Sequence, residues 1–185
     1  MAPTVARPRR LLGLGGALLA VAFLIAMALS GRMRENGQLV RFVAAGVLAE
    51  PPAAVDRVEL AARARRWVFT RTVGGWQVEP GSRPVAHSLA AHLDDSIKFM
   101  HVSAPIRVMD PAEWAQQGLR EFGLEPAAYS AVLFNGDRRL LAIGFGSPNP
   151  QRVLQYMRIE GRDQIYVMSR FVGAEWEQAL AEAGR

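Results

Sequence analysis

The chain contains no cysteine in its 185 residues. That absence excludes disulfides, thiolate metal sites and cysteine nucleophiles, while leaving the redox compartment open. Lysine is nearly as scarce: Lys98 is the only one, so any Schiff-base or lysine-base chemistry would have to use that side chain. Histidine occurs three times, as His87, His92 and His101. On a helix the step from His87 to His92 turns the rings about 140° apart, off a shared ligand face. No HxxxH or HExxH is present, and none of Ser88, Ser96, Ser103, Ser130, Ser147 and Ser169 lies in a GxSxG or SxxK context. Asp94-Asp95 is the one adjacent acidic pair. It reads as a solvated helix face, with no second carboxylate cluster to complete an acid/base pair. The expectation is a non-enzymatic protein without a cofactor.

Acidic side chains are also missing from the first 34 residues, whose only charges are Arg7, Arg9, Arg10, Arg32 and Arg34. Removing these five from the 22 basic residues leaves 17 basic against 17 acidic in the remainder. The net charge of +5 therefore belongs to the flanks of one segment, which argues against a nucleic-acid partner.

Between those flanks, Leu11 to Ser30 form a run of 20 uncharged residues. As a helix it would span about 30 Å, the hydrocarbon thickness of a bilayer. A cleaved signal peptide, ending near Ala26-Met27-Ala28, competes with a retained anchor. The length of the run and the arginines after it favour the anchor. The default orientation leaves the N-terminus in the cytoplasm, with the inner (cytoplasmic) membrane crossed once and the larger domain in the periplasm. Gly13, Gly15 and Gly16 offer a small-residue face to another helix, or simply reflect the frequency of glycine in such segments. The chain is thus divided into an anchor with basic flanks (1–34), a connector ending at Pro51-Pro52 (35–54) and a folded domain (55–185). Whether the apolar connector stretch Gln38 to Glu50 lies on lipid or on protein is open at this level.

In the domain, half of the whole chain's residues being hydrophobic and 21% charged supports a packed core. Val55, Val58 and Leu60 predict a strand, Trp67 to Thr70 another, and Gly74-Gly75 a turn into Trp76 to Val78. Leu89, Leu93, Ile97 and Met100 change the period to that of an amphipathic helix of about 14 residues. A short strand over "APIRVM" follows, then a helix with Asp110 as N-cap, Pro111 and Glu113 in its first turn and Gly118 to close it. Tyr129 to Phe134, Arg138 to Gly144, Val153 to Ile159 and Gln164 to Met168 predict a second meander. Asn135-Gly136-Asp137 and Glu160-Gly161-Arg162-Asp163 supply its turns. A final helix runs from about Val172 to Ala183. The fold class is α+β: an N-terminal transmembrane helix, then a mostly antiparallel sheet of two β-meanders with helices packed on one face.

Gly144-Phe145-Gly146 follows a strand, as phosphate loops do. Here the glycines lie between two strands rather than before a helix, and Pro148 and Pro150 lack N–H donors, so the stretch reads as a β-to-β turn. Met100, His101 and Met109 are the candidate metal ligands, since thioether and imidazole suit Cu(I). Against that, Met100 continues the apolar stripe of its helix, and Met157 and Met168 occupy strand positions that need core residues. Arg63, Arg65 and Arg66 before one strand, and Arg138 and Arg139 after a turn, read as edge-protecting charges first and anion-binding patches second. Trp67, Trp76, Trp114 and Trp176 are spread over separate elements. That distribution suggests one shared core, with Trp76 as a candidate for an exposed contact.

The ordered pieces "VDRVEL", "RRWVFTR", "GGWQV", "FGLEPAAYSAVLFNGDRRLLAIG" and "YMRIEGRDQIYVM" resemble the family catalogued as domain of unknown function 4340. The resemblance covers roughly Ala53 to Arg170 and rests on Gly123-Leu124-Glu125-Pro126, then Ile143-Gly144 and Tyr166-Val167. It departs at Ala127, where a second proline is often found, and in having a single unit where many members have tandem copies. It implies a membrane-anchored, exported α+β domain associated with ABC-type transporter components, and no catalytic residues. The expected function is that of a non-enzymatic membrane accessory subunit whose periplasmic domain docks on an integral membrane complex. The alternative is a periplasmic copper or small-ligand binding protein.

Overall fold

The computed structural model describes residues 18–27 and 45–185, which belong to two separate units divided between Phe42 and Val43. In the first unit, residues 18–27 are helical and exposed throughout. Ten helical residues measure about 15 Å, and among the described residues no helix is long and apolar enough to cross a membrane. The ends of the predicted span Leu11 to Ser30, both basic flanks and the first part of the connector lie outside the described residues.

The second unit is built on one nine-stranded antiparallel sheet: β1 (Arg57–Ala62), β2 (Arg65–Thr72), β3 (Gly75–Glu79), β4 (Arg83–Pro84), β5 (Arg107–Met109), β6 (Tyr129–Asn135), β7 (Arg138–Pro148), β8 (Leu154–Ile159) and β9 (Ile165–Ser169). Their spatial order is β4-β3-β2-β1-β6-β7-β8-β9-β5. The two predicted meanders are thus halves of a single sheet, joined where β1 pairs with β6 from Arg57↔Phe134 to Ala62↔Tyr129. Positive φ at Gly136 (56°) and Gly161 (80°) lets the two predicted tight turns form. The first turn is clasped by the start of β1, since Gly136 N–H donates to Asp56 Oδ2 at 2.7 Å and Asn135 Nδ2 to Ala54 O at 2.6 Å.

Because β4 and β5 lie at opposite edges, the chain must cross the whole sheet between them. Helix α1 (His87–Val102) lies within that crossing. Its stripe Leu89, Leu93, Ile97 and Met100 is buried, as the spacing predicts. Helix α3 (Arg170–Ala183) packs against it in the antiparallel sense, since Phe99 meets Phe171, His92 meets Glu175 and Ser88 meets Glu182. Trp176 is fully buried between these helices and Val58, Leu60, Phe69, Leu133, Phe145, Met157 and Met168 of the sheet. Each such large side chain contributes about 1.5–3 kcal/mol on burial. Trp76, the candidate exposed contact, is instead 4% exposed. Its indole N–H donates to Asp94 Oδ1 at 3.0 Å, and Arg71 holds that same oxygen at 2.6 Å while covering the indole face at 4.5 Å. Asp94 therefore ties α1 to β2 and β3, rather than serving only as a solvated face.

The opposite sheet face has its own, smaller cluster: Phe122, Leu124 and Ile165, with Met109, Trp114, Leu119 and Tyr156 packed against them. Strand alternation separates this cluster from the main core, since Tyr156 and Ile165 point away from Met157 and Tyr166. Helices on one face thus describes α1 and α3 but not α2 (Pro111–Trp114), the single turn that opens this cluster. In that turn the Asp110 N–H donates to Glu113 Oε2 at 3.0 Å. That backbone bond, with Arg107 beside it, holds the Glu113 carboxyl below the usual carboxylate range. Gly118 closes the turn with φ of 78°.

The stretch around Gly144 is where sequence and structure part. The β7 strand continues through both glycines to Pro148, and the turn to β8 is organised by Asn149, whose Oδ1 accepts from the N–H groups of Val153 and Leu154 at 3.0 Å each. The glycines are there for a long-range reason: residues 119–128 cross the outer face of β7 as a strap. A Cβ on Gly146 would lie 2.2 Å from the Phe122 carbonyl oxygen, and one on Gly144 would lie 3.2 Å from Ala127 Cβ. Ser147 N–H donates to that same Phe122 carbonyl at 2.9 Å. Gly146→Ala is expected to lower the unfolding free energy by about 1–3 kcal/mol, through forced displacement of the strap. Gly144→Ala, meeting a single methyl group that must give by a few tenths of an ångström, should cost less. Urea denaturation of the full chain in mild detergent, followed by tryptophan fluorescence, reads both.

Candidate functional site

The candidate metal ligands are not brought together. Met100 is fully buried in the main core, whereas Met109 packs on the small cluster across the sheet. His101 Nδ1 lies 3.0 Å from the Leu48 carbonyl oxygen. That contact belongs to a junction made by residues 45–54, the described part of the connector, which lie on protein. Gly46 N–H donates to His101 O and Leu48 N–H to Met100 O, each at 2.9 Å, while the Leu48 side chain is buried at 1% exposure. Gly46 approaches so closely that a Cβ would fall 2.1 Å from the Met100 oxygen. His92 pairs with Glu175 at 2.8 Å between the helices, and His87 opens α1 exposed. Among the described residues no group of three or more His, Asp or Glu side chains has metal-binding proximity.

A large concavity lies elsewhere, where the β1–β2 hairpin approaches the C-terminal half of α3. It is a groove of about 760 Å³ lined by Ala62, Arg63, Ala64, Arg65, Trp67, Ala128, Tyr129, Glu177, Leu180, Ala181 and Gly184. The sheet builds it directly. Ala62 and Tyr129 are the last cross-strand pair of β1 and β6, so the groove opens where their pairing stops. Arg63 turns the hairpin with φ of 54°, a left-handed conformation uncommon for a side chain with a Cβ. A second hollow, of about 250 Å³, shares Trp67 and continues past Phe69, Val78, Arg83, Pro84, Val85, Leu89 and Glu182. Trp67 thus belongs to both.

Beneath the first groove is a buried polar network. The Tyr129 hydroxyl donates to Gly173 O at 2.8 Å and accepts from Gln155 Nε2 at 3.3 Å, and Gln155 Nε2 also donates to Gly146 O at 3.0 Å. Arg170 reaches Gln155 Oε1 at 3.3 Å and Glu177 Oε2 at 2.5 Å. The Tyr129 ring stacks on Phe145 with centroids 4.7 Å apart. Gly173 admits this network, since a Cβ there would lie 1.9 Å from Gln155 Oε1. Burial, and then the Glu177 charge, push the Tyr129 hydroxyl above its usual ionisation range, so it stays protonated and serves as a fixed donor. Sequence reasoning did not find this network. The available signal was Gln155, a polar residue two positions before Met157 and so on the strand face that points into the core.

On the outer sheet face, a shallower hollow of about 350 Å³ lies beside the strap, floored by the small residues Ser130, Ala142 and Gly144 and flanked by Arg158 and Glu160. The Trp67 groove has the composition of a binding surface, an apolar floor with a few polar groups at the margin.

No family model matches this chain, nor does any curated protein or solved structure.

Tyr129→Phe should cost about 1–2 kcal/mol, because Gly173 O and Gln155 lose a buried partner. The native chain holds the Tyr129 proton more tightly than the unfolded chain does. Its contribution is therefore complete below the ordinary tyrosine range near pH 10 and is lost as pH rises beyond it, by about 1.4 kcal/mol per pH unit. Denaturation midpoints measured between pH 9 and 11.5 should fall less steeply for Tyr129→Phe than for the unaltered chain.

Proposed function

We propose that this chain is a non-enzymatic, single-pass accessory subunit of the inner membrane, whose periplasmic domain docks on an integral membrane complex. The observation that carries the reading is the state of the polar groups around the Trp67 groove. Glu177 is held by Arg170, Glu182 accepts from the Ser88 hydroxyl at 2.5 Å, and the Tyr129 hydroxyl is committed to Gly173. A carboxylate already occupied by an arginine, beside a phenol kept protonated, makes a poor acid/base pair and a well-formed contact surface.

The tether is supported by the uncharged run Leu11 to Ser30 between arginines, of bilayer-spanning length if helical. An ABC-type transporter as the partner rests on the family resemblance alone. A domain tied to a membrane needs only modest affinity, because confinement raises its effective concentration toward partners in the same membrane.

Purification of the full-length chain in mild detergent, with mass spectrometry of the intact assembly, tests the proposal. A stoichiometric membrane partner with Met1 to Arg34 still attached is the expected result. A lone chain beginning near Leu29 would overturn it in favour of a released periplasmic protein.

A further inference from the structure

The docking reading leaves the chemistry of the docked segment open, and the Trp67 groove carries an imbalance that bears on it. Arg63 and Arg65 lie on the wall of the first hollow and Arg83 on the wall of the second. All three are exposed. Among the described residues none of them forms an ion pair, whereas Arg57, Arg66, Arg71, Arg107, Arg138, Arg139 and Arg170 all do. Of the two carboxylate side chains lining the same hollows, Glu177 is paired with Arg170, whereas Glu182 accepts from the neutral Ser88 hydroxyl and keeps its charge in the second hollow. The first hollow therefore presents two uncommitted guanidinium groups, Arg63 and Arg65, beside a half-buried tryptophan and a floor of alanine and leucine, and the second presents Arg83 and Arg185 with Glu182.

We infer that this groove receives an acidic peptide segment of the partner, with one apolar side chain seated on Trp67 and carboxylates on Arg63, Arg65 and Arg83. Charge complementarity selects the sign of the occupant, since guanidinium groups take carboxylates in bidentate geometry. Shape selects a peptide over a lipid surface, because the guanidinium groups flank two hollows that share one side chain. A flat array of headgroups would reach the rim and leave the floor wet. The continuity past Trp67 also suits a chain that crosses both hollows better than a compact molecule confined to one. This inference rests on the docking reading, but it makes a separate demand on the partner.

The test installs a benzophenone side chain at Ala64 or Ala181, both on the groove wall, in the full-length chain in its own membrane, with Ser130 on the outer sheet face as the comparison position. Mass spectrometry identifies what is cross-linked. The expected product from Ala64 and Ala181 is a peptide with an excess of Asp and Glu. Its yield should fall about tenfold in the Arg63→Glu/Arg65→Glu/Arg83→Glu variant and survive the corresponding triple change to Lys. It should also fall as salt is raised from 0.1 M to 1 M, where the screening length drops from about 10 Å to about 3 Å. An unchanged thermal midpoint in both triple variants establishes that they fold.

Cross-linking to lipid from the groove positions overturns the inference in favour of a membrane-facing basic rim. So does a peptide of neutral or basic composition whose yield ignores the charge reversal. If Ser130 alone cross-links while the partner still co-purifies, the groove assignment fails and the docking reading survives. Loss of both cross-linking and co-purification removes both.

Discussion

The pairing of β1 with β6 is the constraint on which the rest of this domain depends. It joins two strands that lie more than sixty residues apart in the chain, aligning Arg57 to Ala62 with Phe134 to Tyr129 in unbroken antiparallel register. Neither meander alone carries the whole buried face: Val58, Leu60 and Phe69 lie on the first, and Leu133, Phe145, Met157 and Met168 on the second. Joined, they give α1 and α3 a common floor, and Trp176 a place between that floor and the helices. A shift of one residue would send Val58 and Leu60 to the outer face and bring Glu59 inward, so the buried face fixes the register. The clasp of Asp56 and Ala54 on the β6–β7 turn closes one end of the pair. At the other end, where Ala62 faces Tyr129, the pairing stops and the groove begins.

Much of this architecture is legible in the sequence, because it follows from local rules. The stripe from Leu89 to Met100 predicts α1, and the turns at Asn135-Gly136 and Glu160-Gly161 need only a glycine that tolerates positive φ. Alternation places the strands of both meanders. What local rules do not carry is contact between distant segments. Gly144 and Gly146 look like a turn because their neighbours in the chain give no other reason for glycine. The reason is the strap, and above all the Phe122 carbonyl, which only the folded chain brings within reach. Asp94 reads as a solvated carboxylate until β2 and β3 deliver Arg71 and Trp76 to it. Met100 and Met109 look paired in sequence and are separated by the thickness of the sheet.

The strap also gives a physical account of the ordered motif behind the family resemblance. Gly123, with φ of 66°, lies against Ser147, Leu124 packs near Gly146, and Ala127 crosses Gly144. The pieces around Gly123-Leu124-Glu125-Pro126 and Ile143-Gly144 are thus two sides of one contact, and their joint occurrence in a sequence need signify no chemistry beyond that fit. The same economy holds inside the domain. Gln155 and Tyr129 join the underside of α3 to β7 through Gly146 and Gly173, so Gly146 serves both the strap and the polar network.

The junction at residues 45–48 has a mechanical meaning. Tension arriving from the N-terminal side would meet the domain first at Gly46 and Leu48, whose N–H groups hold the last carbonyls of α1. Beyond them, the buried Leu48 side chain acts as a plug, and α1 passes the load to the sheet through Asp94, Arg71 and Trp76. The contacts of Gly46 and Leu48 are made with the C-terminal end of α1, at the end of the helix pair away from the groove.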